Sequence, residues 1–472
     1  MSRDRRETRG LDTSGARDIA VEALRGGREQ GRFAQDRLGR LIADRRPSAA
    51  DAALATELTL GGVRHRLTLD HLISRFLHGR VNRLDSGLLA VLRVGAYQIV
   101  WLDRIPAFAA VDSAVEQGKQ VAGRRAGGLV NAVLRRLLRH RLDEVLSEPP
   151  DQPRRCVRIG VARWRAFDTD LFGDPEADPV GYLSASTSHP AVLVRRWLAH
   201  FGRSRTEQIC LAGGQRPPLV LRGNRRRIDV QTLLERLSSE GTVAVAAPSG
   251  DSVFVAEGPP ARQMTAVAEG LCQPQDLTAQ APVVASPPAP GHKVLDLCAG
   301  LGTKTTQLAE HMDDRGLVLA SDRSAEKVKW IEEACRRMGV SCVQTVLADR
   351  LENAAVRHGP FDLALVDVPC SNSGVLARRP AARYRITPSR LKELAAAQRG
   401  LLDQAAGFVR PGGRIVYATC SIEPEENEQV VASFLTRVTG WRLVDSRLTL
   451  PQVGRRLTDW RDGGFFAAMA RS

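Results

Sequence analysis

The chain has 472 residues, 43% of them hydrophobic and 26% charged. That composition buries a core and excludes a mostly disordered, collagenous or mucin-like protein, and no apolar run reaches the roughly 18 to 20 residues that span a bilayer. A net charge of +15 points to a polyanionic partner, nucleic acid first.

Met1 to Gly10 alternates Arg with Asp and Glu and is followed by no apolar core, so it does not read as a secretory signal and the expected compartment is the cytoplasm. The eight cysteines contain no C-x-x-C pair, so neither a metal site nor a disulfide framework is expected. Residues 1–146 read as all-helical. Ser48 and Asp51 have capping-box spacing ahead of Ala52 to Leu60. Asp85 opens a buried helix over Leu88 to Leu102, broken by Pro106, and helices follow near Val111 to Val121 and Leu129 to Leu142. The last carries one apolar stripe, with Arg135, Arg136, Arg139 and Arg141 largely off it as a solvated face or an RNA-facing ridge. Prolines 149, 150, 153, 175 and 179 make 147–180 a linker with some helix. Residues 181–281 read as a small α/β unit. Its run Arg222-Gly-Asn-Arg-Arg-Arg227 is a phosphate contact or a surface charge cluster.

From 282 to 472 short apolar strands alternate with helices, the pattern of a doubly wound parallel sheet. Strands are expected at Lys293 to Leu297, Leu317 to Ser321, Cys342 to Leu347, Phe361 to Asp367 and Arg414 to Ala418. Helices are expected near Thr305 to His311, Ala325 to Met338, Ser389 to Val409 and Pro424 to Val438. Such a sheet binds its ligand beyond the carboxyl ends of its strands. At the first of these ends lies Val294-Leu-Asp-Leu-Cys-Ala-Gly-Leu-Gly-Thr-Lys-Thr-Thr306, a strand, small-residue turn and helix start that suits a nucleoside-type ligand. It is neither a P-loop nor a G-x-G-x-x-G fingerprint. Asp322 ends the second strand, where an acid bonds ribose hydroxyls or caps the next helix. Asp349 ends the third and either bonds an adenine amino group or caps a loop. The fourth and fifth strands end in Asp367-Val-Pro-Cys370-Ser and Thr419-Cys420-Ser. Two thiols at neighbouring strand ends above one cleft favour chemistry over packing.

Asp367-Val-Pro-Cys-Ser-Asn-Ser-Gly374, Tyr417-Ala-Thr-Cys-Ser-Ile-Glu-Pro-Glu-Glu-Asn427 and Gly464-Phe-Phe466 resemble the RsmB family, also called Sun or Fmu, bacterial 16S ribosomal RNA cytosine-C5 methyltransferases. The resemblance covers nearly the whole chain. It implies a multidomain α + α/β architecture: a helical NusB-like RNA-binding domain, a small α/β middle domain and a Rossmann-like S-adenosylmethionine-dependent methyltransferase domain. Gln275-Asp276 with Ala279-Gln280 resembles the segment before the methyltransferase core. The family's donor-binding loop falls on Cys298, Ala299, Gly300, Leu301, Gly302, Thr303 and Lys304, and its ribose, adenine and strand-four acids fall on Asp322, Asp349 and Asp367. Its nucleophile corresponds to Cys420, and Cys370 to the thiol that assists removal of the C5 proton. There are departures. Gly300, Leu301 and Thr303 replace Ala, Pro and Gly of the family loop, and Ala381 follows Arg379-Pro380 where the family has an acid.

Covalent addition at C6 makes C5 of cytosine nucleophilic. Asp367 then shares a proton with N3, and Lys304, one of six lysines, reaches the base or serves as a surface charge. The partner implied is 16S ribosomal RNA, with no membrane, metal or protein partner. Two alternatives stay open: a non-catalytic RNA-binding or antitermination factor, and a methyltransferase acting on transfer RNA or DNA, the DNA type using the Pro-Cys thiol as nucleophile.

Overall fold

The structure, a computed structural model, describes residues 15–25, 34–248 and 250–472, so the Arg-rich start of the chain lies outside the described residues. It divides into two units, one ending at Gln215 and one running Arg216–Ser472. The division falls inside the segment 181–281. Among the described residues no helix is long and apolar enough to cross a membrane.

The first unit is built around Ser86–Trp101, capped by Asp85 through the Gly87 and Leu88 amides. Its residues from Leu88 to Val100 are nearly all buried, because the helices Ala107–Ala122, Arg124–His140, Arg66–Phe76 and Ala16–Arg25 surround it. Ser48 accepts from the Asp51 amide and starts Ala49–Arg64. Two expectations need correction here. Residues Arg141–Leu146 form a strand rather than the end of a helix, and 147–180 is no loose linker. Strands Cys156–Gly160 and Arg163–Phe167 join Arg141–Leu146 in an antiparallel sheet. Val157, Phe167, Leu171 and Phe172 enter the helical core. The prolines occupy the connections, and their number masks the alternation of Val157-Arg158-Ile159.

The second unit contains two sheets. Strands Leu219–Gly223, Val243–Ala246, Ser252–Glu257 and Cys272–Pro274 form a four-stranded antiparallel sheet with the helix Val230–Ser239 packed on it. The larger sheet has seven strands: β1 (Lys293–Asp296), β2 (Leu317–Asp322), β3 (Val343–Leu347), β4 (Phe361–Asp367), β5 (Val409–Thr419), β6 (Trp441–Thr449) and β7 (Gly464–Arg471). Their order is β3-β2-β1-β4-β5-β7-β6. The first five are parallel, and β7 enters antiparallel between β5 and β6. This is the doubly wound, Rossmann-like sheet expected, extended by a hairpin. One face is covered by α3 (Leu351–His358), α4 (Pro388–Phe408) and α5 (Glu428–Arg437). The other is covered by α1 (Thr303–His311), α2 (Ala325–Met338) and the helix Leu277–Ala285. The helix expected over Pro424 to Val438 is broken: Pro424–Glu426 is a single 3-10 turn and α5 starts only at Glu428. Asn427, at φ −116° and ψ −104°, makes the break.

Candidate active site

A cleft of about 1150 Å³ opens at the carboxyl ends of β1, β2, β4 and β5, lined by Cys298, Asp322, Asp367, Cys370 and Cys420 among others. After β1 the chain turns through Gly300 and Gly302, both left-handed at φ +60° and +76°. A Cβ on Gly302 would lie 3.1 Å from the Ile331 backbone, so the close approach of turn to α2 also excludes a side chain there. The Gly302 amide donates to Ala299 O at 2.9 Å, and the Ala299 amide to Ser321 O at 2.9 Å. Thr303 then opens α1, and Lys304 on its first turn lines the cleft. Leu301 is 56% exposed, so the turn closes without the proline of the family pattern.

Asp322 is part of this turn. Its Oδ2 accepts from the Gly300 amide at 3.1 Å and pairs with Lys327 at 3.3 Å, while Oδ1 accepts from the Ser324 amide at 3.0 Å. Asp349 sits apart. It is exposed on the turn after β3, and its neighbours Ala348 and Leu351 line the cleft instead. Asp296, at the end of β1, carried no expectation from the sequence. It is buried; Thr305 donates to its Oδ2 at 2.7 Å, and its Oδ1 has no partner. Burial, with the carboxylates of Asp367 and Asp322 acting in the same direction, pushes it up to about 7.

Lys304 donates to Asp367 Oδ2 at 2.7 Å, its side chain only 15% exposed, so it is no surface charge. Burial works against the ammonium, but the charge and hydrogen bond of Asp367 hold it above the ordinary lysine range, and Cys420 contributes in the same sense. The pairing β4 to β5 sets Asp367 opposite Ala418, and this register brings the two cysteine loops side by side. Cys370 Sγ and Cys420 Sγ lie 2.9 Å apart, and Asn372 Oδ1 lies 3.3 Å from Cys420 Sγ. The hydrogen bond to Cys420 and burial hold Cys370 well above the ordinary thiol range. Cys298, by contrast, is pushed to about 12 by burial and the acids around it, and belongs to the turn rather than to covalent chemistry.

At the far wall, Arg378 pairs with Asp276 at 3.2 Å and with Asp462, and donates to Pro218 O at 3.1 Å. Burial first, then the charge of Asp276, raises Asp462 against the opposing pull of Arg378. The sequence signalled Asp276 and Asn372 only as parts of longer motifs; nothing marked Arg378, Asp462 or Gln398. Within the basic run 222–227 only Arg222 needs correction, since Arg225, Arg226 and Arg227 are exposed. Arg222 is buried, bonded to Gln275 at 2.6 Å and paired with Glu310, while Arg226 and Arg227 donate to the carbonyls of Gly339 and Glu269 at 2.9 Å each. These arginines tie the four-stranded sheet to α1 and α2.

The model of the 16S rRNA methyltransferase RsmB/F family matches residues 283–458. That of the NusB family matches 14–139, and a ferredoxin-like domain model of RsmF/B-like methyltransferases matches 189–261. A probable ribosomal RNA small subunit methyltransferase B of Bacillus subtilis is 30% identical over 427 residues, 90% of this chain and 89% of that one. The ribosomal RNA small subunit methyltransferase B of Pseudomonas syringae pv. tomato is 33% identical over 397 residues, 84% of this chain and 81% of that one. Among solved structures, PH0851 superposes with a TM-score of 0.73 at 22% identity, over 98% of this chain and 99% of its own, a likeness of fold. A methyltransferase homolog from Pyrococcus horikoshii has a TM-score of 0.53 at 25% identity, covering 61% of this chain and 98% of its own.

Proposed function

The chain belongs to the RsmB/F family of ribosomal RNA methyltransferases, and from that premise we propose that it methylates C5 of a cytosine in 16S ribosomal RNA, in the cytoplasm, through a covalent bond between Cys420 and C6. The observation that carries this reading is the pair of thiols 2.9 Å apart beside the Lys304–Asp367 pair in one cleft.

The residues fit S-adenosylmethionine. The turn at Gly300 and Gly302 admits a ligand against backbone, and Asp322 offers carboxylate lone pairs to ribose hydroxyls. When bound, the donor supplies an electrophilic methyl group on a cationic sulfonium. The protein does the rest. Cys420 sulfur adds to C6, and the electron pair of the C5–C6 bond shifts so that C5 becomes the nucleophilic carbon. The thiol proton of Cys420 passes by way of the Lys304–Asp367 pair to N3 of the base, which limits the negative charge of the adduct, and it returns to Asp367 when the product forms. Once C5 carries the methyl group its proton must leave, the C5–C6 double bond re-forms and the C6–S bond breaks. Cys370, 2.9 Å from Cys420, gives its own proton to the departing Cys420 sulfur and takes the C5 proton in its place, directly or through a water. The target cytosine has to be unpaired or flipped out to reach this depth.

The test is tritium release from C5-labelled cytosine in a 16S ribosomal RNA transcript, with transfer RNA and DNA as comparison substrates. Donor-dependent release from the ribosomal transcript alone is the expected result. Release from DNA or transfer RNA instead would move the substrate, and methyl incorporation without tritium release would remove C5 as the target.

A further inference from the structure

We propose that Glu426 is a positioning residue whose buried carboxylate ties the Pro-Cys loop to the Thr-Cys loop and thereby sets the spacing of the two thiols. It is 0% exposed. Its Oε1 accepts from the Ser371 amide at 2.9 Å and from Gln398 Nε2 at 3.0 Å. Its Oε2 accepts both the Ser371 and the Ser421 hydroxyls. Ser371 follows Cys370 and Ser421 follows Cys420, so one carboxylate oxygen holds the residue after each thiol. Gln398, on α4, also donates to Pro369 O at 3.0 Å, gripping the Pro-Cys loop on the other side of Cys370. The Tyr417 hydroxyl fixes the Glu426 backbone, donating to its carbonyl at 2.6 Å.

The chemistry of the group explains why a carboxylate stands here. Four donors converge on two oxygens, and only an acceptor-only group satisfies them all. Glutamine would turn one oxygen into a donor, opposed either by two hydroxyls or by two N–H groups. Aspartate is one methylene short of bridging both loops. A buried carboxylate without a cation is costly, and the cost is met by hydrogen bonds that all serve the cysteine loops. The arrangement also uses up both serine hydroxyl protons. Neither serine then donates to a sulfur, which leaves the two thiols to each other and to Asn372.

The consequence for catalysis rests on the roles proposed above for Cys420 and Cys370, but the spacing itself does not. In the full-length protein, Glu426→Gln, Ser371→Ala and Ser421→Ala are compared with wild type in two ways. The first is methylation kinetics: Glu426→Gln should lower kcat about 100-fold, the scale of a misplacement near 1 Å, with the RNA KM within about threefold. The second needs neither RNA nor donor: the iodoacetamide modification rates of Cys370 and Cys420, read peptide by peptide. Wild type should modify Cys420 faster by about tenfold or more, and the variant should bring the two rates together. A kcat within about threefold of wild type, or an unchanged ratio of thiol rates, overturns the proposal. Should Glu426→Gln fail to fold, the serine variants decide, each removing one donor and each expected to shift the ratio part of the way. If wild type shows no C5 methylation, the functional reading falls while the thiol ratio still judges the clamp.

Discussion

The helical unit and the carboxyl ends of the seven-stranded sheet hold their polar groups in opposite ways. Around Ser86–Trp101 the interior is mainly apolar, with Gln98 a buried exception, and the arginines of Arg124–His140 point outward or to the rim, Arg135 and Arg139 exposed. Around β1, β4 and β5 the buried positions are occupied by Asp296, Thr305, Ser371, Ser421, Glu426 and Asn427, nearly all of them bonded to one another or to the cysteine loops. The first region tolerates change at its exposed arginines, because water replaces what is removed. The second does not, because each group is the partner of another. Substitutions of the same kind should therefore have very different effects in the two places.

The largest difference is expected at the thiols. Cys420→Ala should lower methylation by more than about a thousandfold and form no adduct. Cys370→Ala should still add to C6 but release product poorly, so a protein–RNA species survives denaturing electrophoresis. Reversal, with the adduct trapped by Cys420→Ala, would make the Pro-Cys thiol the nucleophile; two destabilised proteins and no adduct would make both cysteines structural.

Next is the ion pair Arg222–Glu310, which is buried on both sides. Arg222→Met leaves Glu310 charged, buried and uncompensated, and should cost about 3–5 kcal/mol in thermal or denaturant unfolding. Adding Glu310→Gln should recover most of that. Arg135→Gln in the helical unit should cost nothing measurable. A small effect at Arg222 would return the run 222–227 to the status of a surface cluster.

How much of this was legible follows the same division. Asp322, Asp367, Cys370 and Cys420 stood out because strand ends in a parallel sheet are where polar residues interrupt apolar runs. Asp296 ends β1 in the same way but reads as one more residue of the glycine turn. Glu426 lies inside the Tyr417 to Asn427 motif, but its role was hidden because Pro424 to Val438 has helical periodicity, which places it among ordinary first-turn acids; the break at Asn427 turns it inward, and no local pattern reports that. Strands β6 and β7 escaped for opposite reasons. The first is an exposed edge with mixed charges, and the second, Gly-Phe-Phe-Ala-Ala-Met-Ala, is buried on both faces and lacks alternation. The strands at 156–167 lay under a proline count that described only their connections.

Asp296 gives an effect of intermediate size with a definite sign. Its folded value, about 7, lies above the ordinary 3.8. The folded protein binds this proton more tightly than the unfolded chain, so its contribution to stability falls as pH rises from about 4 to about 7. Asp296→Asn imitates the protonated form. It should stabilise the protein by on the order of 2 kcal/mol above pH 7, with the gain vanishing below about pH 4. Unfolding measured at several pH values checks this, and a pH-independent effect would contradict it.

Asp322 should show a smaller loss. Asp322→Ala removes both a ribose acceptor and the anchor of the Gly300 amide, and should weaken S-adenosylmethionine binding about 30-fold by calorimetry. Asp322→Asn keeps an oxygen for one of these and should lose less, whereas Cys420→Ala should bind the donor nearly normally. Equal affinity of Asp322→Ala and wild type would detach Asp322 from the donor site.

The smallest effect belongs to the helical unit, and it concerns charge rather than geometry. Of the four arginines at 135–141, Arg136 donates to Phe76 O and Arg141 to Ile99 O, at 3.4 and 2.9 Å, so both are partly committed to the fold. Arg135 bonds only the neutral Asn131 amide oxygen, at 2.7 Å, and among the described residues no acid pairs with Arg135 or Arg139. These two are free to meet phosphate. Each phosphate neutralised contributes about −0.7 to the log–log salt slope for single strands and about −0.9 for duplex. Arg135→Gln with Arg139→Gln should therefore reduce the magnitude of the slope for 16S ribosomal RNA by about 1.4 to 1.8. Thermal stability and donor affinity should not move. A slope unchanged within error would mean that these arginines are a solvated face and that the +15 charge of the chain acts on RNA from elsewhere.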